Sequence, residues 1–125
     1  MKIGAATIAT LQPWFGAMPL DGVHIVERGP MCWLVRNVLR QGAMTIAPFI
    51  FYGKARFDAS SLPSVALLAH ELKHVEQYRA KGHVRFLATY LRDLAGNKFR
   101  YSHDLPLEAE AYALQADVLK ALRLA

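Results

Sequence analysis

The stretch His70-Glu71-Leu72-Lys73-His74 combines the residue types and the spacing that metal chemistry needs. Residues four apart share one helical face, so both imidazoles can reach a single ion, and zinc takes histidine nitrogen at about 2.0–2.1 Å. Glu71, beside the first histidine, points off that line and toward the attacking water rather than the ion. Zinc lowers the pKa of water it holds from about 15.7 to about 7, and a carboxylate can take the proton as that water attacks a carbonyl. The expectation is one Zn²⁺ per chain, with His70 and His74 as ligands and Glu71 as general base.

A catalytic zinc site needs a third protein ligand and leaves a position open. His83, His103, Glu108 and Glu110 are the candidates. His83 lies beyond a helix break at Gly82. A metzincin pattern would place glycine at 77 and histidine at 80; Gln77 and Ala80 stand there instead, which excludes that class. The two glutamates fall on a helix whose apolar stripe runs Leu107, Ala111, Leu114, Val118, Leu122. At about 100° per residue they sit on opposite borders of the stripe, and periodicity does not choose between them. Either one is equally well read as an ordinary border carboxylate.

The elements that must position these residues are punctuated clearly in the second half of the chain. Ser61-Leu62-Pro63 and Asp104-Leu105-Pro106 each offer a capping side chain followed by proline in the first turn. Gly82 and Gly96 supply stops. Helices are expected over 62–81, 83–95 and 105–123. In the first half, residues 3–11 read as a core-facing helix, 23–26 as a strand, and 32–40 as a helix ended by Gly42. Residues 44–52 (MTIAPFIFY) read as one strand, demoted to an edge or bulged strand by Pro48, which cannot donate to a ladder. Short strands followed by consecutive helices make the fold class α+β: a single domain over 1–125, with a short mixed or antiparallel sheet followed by three helices.

Cys32 is the only cysteine, which rules out an internal disulfide and a thiolate-rich metal site. A reducing, cytoplasmic setting is the default expectation, although secretion or delivery elsewhere is compatible with a disulfide-free chain. The apolar runs at 3–11 and 43–52 are shorter than the roughly 18–20 residues of a membrane span. The first run follows Lys2 as a poor signal peptide could, but Gln12, Pro13 and Trp14 interrupt the pattern and no convincing cleavage site follows. The net charge of +5 resides wholly in 73–100, where seven basic residues face two acidic ones. A solvated helical face is the ordinary reading of such a segment; the sharper one is a surface suited to an acidic partner or anionic lipid. No nucleic-acid-binding signature accompanies it.

The segments HELKHVEQYRAKGHVRFLATY and PLEAEAY resemble the minimal gluzincin-type metallopeptidase domains of bacteria, most clearly over 67–112. The resemblance implies a small zincin-like fold, a peptide or protein substrate, zinc held by His70, His74 and Glu108, and Glu71 as base. Glu110 is the alternative third ligand. Where many gluzincins place an aspartate that orients a ligand histidine, this chain has Tyr112, which can accept a hydrogen bond but brings no charge. By analogy the Pro48-interrupted strand would pair with an extended peptide. Tyr101 and His103 are candidates for contacting substrate or the developing oxyanion, with Tyr78 behind them. Phe86, Tyr90 and Phe99 read as core or border packing. The expected function is zinc-dependent peptide-bond hydrolysis. The competing expectations are an inactive zinc-binding module acting in protein interaction or assembly, and a basic membrane- or nucleic-acid-binding domain with a coincidental motif.

Overall fold

A computed structural model describes residues 1–96 and 105–125. The elements are α1 (Ala5–Leu11), β1 (His24–Val26), α2 (Pro30–Asn37), β2 (Ala43–Ile46), β3 (Phe49–Tyr52), α3 (Leu62–Lys81), α4 (His83–Gly96) and α5 (Pro106–Leu124), with a 3-10 turn at Gln12–Trp14. The fold is α+β with a three-stranded mixed sheet, in the order β1-β3-β2. No helix among the described residues is long and apolar enough to cross a membrane.

Residues 44–52 form two strands and not the single strand expected. Pro48 has no N–H to give a ladder, and the chain turns at Ala47-Pro48, so β2 folds back antiparallel on β3 with Thr45 opposite Ile50. β3 also pairs in parallel with β1, Ile25 opposite Ile50, and is therefore the central strand. The edge is β2. Gly53 N–H donates to Gly42 O at 2.8 Å, and alternation along the ladder then turns the backbone groups of Ala43 and Thr45 away from β3.

The second correction concerns α2. It ends at Asn37 and not at Arg40: Leu39 N–H bonds back to Leu34 O, and Arg40 takes a left-handed conformation with φ of 53°. Gly42 therefore serves the start of β2 and not a helix stop. Gly53 is required where the chain leaves β3, because a Cβ there would lie 2.7 Å from Gln41 O and 2.9 Å from Arg36 N. Cys32 is buried, and its thiol donates to Val26 O at 3.2 Å; burial pushes its pKa up, which suits a packing role.

Thr45, Ile50 and Ile25 sit side by side on the buried face of the sheet, where α3 packs. The core joins Ile25, Ile50 and Tyr52 to Leu68, Leu72 and Val75 of α3 and to Leu107 and Val118 of α5. α3 begins as expected, with Ser64 N–H donating to Ser61 Oγ and Pro63 in the first turn. It ends at Gly82, whose φ of 80° favours glycine. The α5 stripe is also as expected: Leu107, Ala111 and Val118 are buried, and Leu114 and Leu122 are partly so. Asp104, the expected cap, lies outside the described residues.

Candidate metal centre

α3 and α5 make the most extensive helix–helix contact of the fold, and the candidate site lies in their seam. His70, Glu71 and His74 are all buried, with potential ligand atoms within 4.8 Å of one another. From α5, Glu108 reaches across: its Oε1 lies 2.5 Å from His74 Nε2 and 3.4 Å from His70 Nε2. Glu110 turns outward, toward Lys73 Nζ at 3.4 Å and the Gln77 amide at 3.3 Å. The crossing of α5 over α3 thus brings Glu108 to the histidines and leaves Glu110 on the solvent side. His83 also stands apart, with its Nε2 2.7 Å from Ala47 O.

Each histidine is held from behind. His74 Nδ1 lies 2.8 Å from Gln77 Oε1, and His70 Nδ1 lies 2.9 Å from Gln115 Oε1. The Gln77 side chain cannot be turned over without loss, because its Nε2 donates to Leu107 O at 3.1 Å and to Glu110 Oε1. Its oxygen therefore accepts from Nδ1–H, so Nε2, the nitrogen that faces Glu108, is the one that would ligate a metal ion. Two imidazoles and one buried carboxylate make a donor set that could hold a metal ion.

The two glutamines are the residues that sequence reasoning passed over. Gln77 entered it only as a missing glycine, and Gln115 not at all; both lie on the site-facing side of their helices, three residues after His74 and seven after Glu108. The resemblance pointed to position 112 for the orienting group. Tyr112 packs its ring edge-on against His70, with centroids 4.4 Å apart, and the amide oxygen of Gln115 lies beside the imidazole Nδ1. Replacing Gln77 by Leu should weaken the binding of a metal ion at this site about 10–100-fold, as losses of such supporting partners do. Competition with a chromophoric chelator would measure this, and unchanged affinity would show that the amide does not orient His74.

Glu71 lies against the sheet. Thr45 Oγ1 is 3.3 Å from both Glu71 Oε2 and Glu71 O, so the edge strand holds the carboxylate. Burial pushes the Glu71 pKa up; the neighbouring His74 and His70 and the Thr45 hydroxyl pull it back without cancelling that effect. For His74 burial acts downward, but the Glu108 hydrogen bond and the nearby carboxylates outweigh it and raise the pKa. Tyr78 is committed elsewhere. Burial pushes its pKa up to about 12, and the protonated phenol donates to Thr45 O at 3.2 Å, bracing β2.

A cavity of about 370 Å³ opens onto these groups. β2 and the residues before it form one wall (41–45), and Phe86, Leu87, Tyr90 and Leu94 of α4 form the opposite one. Phe86 and Tyr90, expected to be packing residues, are therefore cavity wall as well. Tyr101, His103 and Phe99 lie outside the described residues.

A family model described as the eCIS core domain matches residues 2–82. No curated protein and no solved structure matches the chain. The peptidase resemblance of the HExxH segment is not itself a family match. The matched stretch runs from just before α1 through the end of α3, so it contains the histidines, Glu71 and the strand that holds Glu71, whereas α4 and the Glu108 helix follow it. With the sheet and the His-Glu-His helix inside that match, and the match spanning most of the sequence, the chain belongs to the eCIS core domain family.

Proposed function

We propose that this domain hydrolyses peptide bonds, using one zinc ion held by His70, His74 and Glu108 with Glu71 as the general base. The observation that carries the reading is the buried convergence of both Nε2 atoms on Glu108 Oε1, beside a second carboxylate, at the wall of an open cavity. Bound there, zinc would supply a Lewis acid that polarises a carbonyl and acidifies water.

The chain's own residues do the rest. Glu71 takes the proton of the attacking water and passes it to the leaving amine; its raised pKa suits both halves of that transfer. Thr45 keeps the carboxylate oriented, and Gln77 and Gln115 keep the imidazoles in the ligating tautomer. The outward N–H and C=O of Ala43 on β2 offer an extended peptide one pair of main-chain hydrogen bonds beside the cavity. In this role the edge strand β2 replaces the single Pro48-interrupted strand.

The test is incubation of the zinc-loaded chain with an unfolded protein, followed by detection of new amino termini. Cleavage that stops on chelation and returns with zinc supports the reading. The family's description links it to extracellular contractile injection systems, and that favours a second reading: a zinc-holding module that serves assembly without turnover. Zinc bound and no new termini would favour the second.

A further inference from the structure

The outer face of α4 is apolar and exposed among the described residues. Val84 is 84% exposed, Leu91 58% and Leu87 45%. At about 100° per residue, these three fall within roughly 60° of one another on the helix, so they form a single ridge. Phe86 is the buried residue of α4 and holds the opposite side of the helix to the core. Leu87 and Leu39, the latter 41% exposed, both line the cavity, so the ridge adjoins the cavity.

Exposed cations lie on α4 and in the last turn of α3, the turn that leads into it. Arg79, Lys81, Arg85 and Arg92 are all exposed, and among the described residues only Arg92 has a carboxylate within ion-pair distance, that of Asp93 at 3.3 Å. The segment that contains them carries the whole excess charge of the chain. A short helix with Leu and Val on one face and arginine beside it has the composition of a helix that lies in a bilayer interface. The shape also matters. A convex ridge needs a grooved protein partner to cover it, but a lipid headgroup layer yields around it without a preformed groove.

We infer that α4 docks this domain on an anionic membrane surface, with Val84, Leu87 and Leu91 inserted between headgroups and Arg79, Lys81 and Arg85 on the lipid phosphates and carboxylates. The cavity then adjoins the membrane surface. This docking does not depend on zinc or on hydrolysis.

Co-sedimentation of the full chain with vesicles tests it. Vesicles containing phosphatidylserine should carry the chain down, and vesicles of phosphatidylcholine alone should carry little. Salt should weaken the binding, because exposed charges are screened within about 10 Å at 0.1 M. Arg85→Glu should lower the partition coefficient by at least about fivefold, the worth of one basic residue near such a surface. Val84→Glu with Leu91→Glu should lower it by about tenfold or more. Both residues of the pair are exposed, so an unchanged circular dichroism spectrum would show that loss of binding is not loss of fold. Failure of the wild type to bind phosphatidylserine vesicles overturns the inference, as does undiminished binding by the double variant. Binding to polyglutamate with no binding to vesicles also overturns it, in favour of an acidic protein partner.

Discussion

Glu71→Gln should keep zinc and the fold and reduce peptide hydrolysis by about 10²–10⁴-fold, the usual contribution of a general acid–base group. The substitution is close to isosteric and can keep the contact with Thr45 Oγ1, so neither the sheet–helix packing nor the imidazoles need move. What it removes is a proton acceptor. Glu71 is buried on α3 against β2 at the cavity wall, and burial already holds its pKa above that of an exposed carboxylate, a setting that suits a group asked to gain and then give up a proton. The loss should therefore fall on the rate of the chemical step more than on substrate binding. Single-turnover kinetics at matched zinc content would measure it. Equal rates for variant and wild type would remove Glu71 from the role of base.

Glu108→Ala should nearly abolish zinc binding, a loss exceeding the 10–100-fold typical of supporting partners, whereas Glu110→Ala should leave affinity close to that of wild type. The reason is geometric. Glu108 Oε1 approaches both Nε2 atoms, and Glu110 is directed to Lys73 and to the far side of the Gln77 amide. A small effect of Glu110→Ala is expected through Gln77, whose oxygen holds His74. Titration of each variant with zinc against a chelator of known affinity would check the order. A larger loss for Glu110→Ala would overturn the assignment of Glu108.

The HExxH helix was legible because everything that defines it is local. Ser61 and Pro63 open it, Gly82 closes it, and the i, i+4 spacing puts both histidines on one face. The third carboxylate was not legible from periodicity. Two glutamates on opposite borders of one stripe are equivalent until a second helix crosses at a particular angle, and that angle is a tertiary quantity; only the family resemblance pointed to Glu108. Pro48 misled in a different way. Its missing N–H was read as a blemish in one strand, when the same deficit is satisfied more simply by a turn between two. Gln77 and Gln115 escaped notice because a neutral amide carries no motif of its own; their role exists only where a buried imidazole N–H needs an acceptor. The Thr45 contact with Glu71 spans 26 residues and depends on the β2–β3 register, which the single-strand reading could not supply.

The metal centre is the claim on which the catalytic account depends, and elemental analysis of the chain purified with zinc present tests it most directly. The account predicts about one zinc per chain, lost on chelation and nearly absent in His70→Ala and in His74→Ala. A wild-type chain that carries no transition metal under those conditions, or histidine variants that retain zinc at the wild-type ratio, would contradict it.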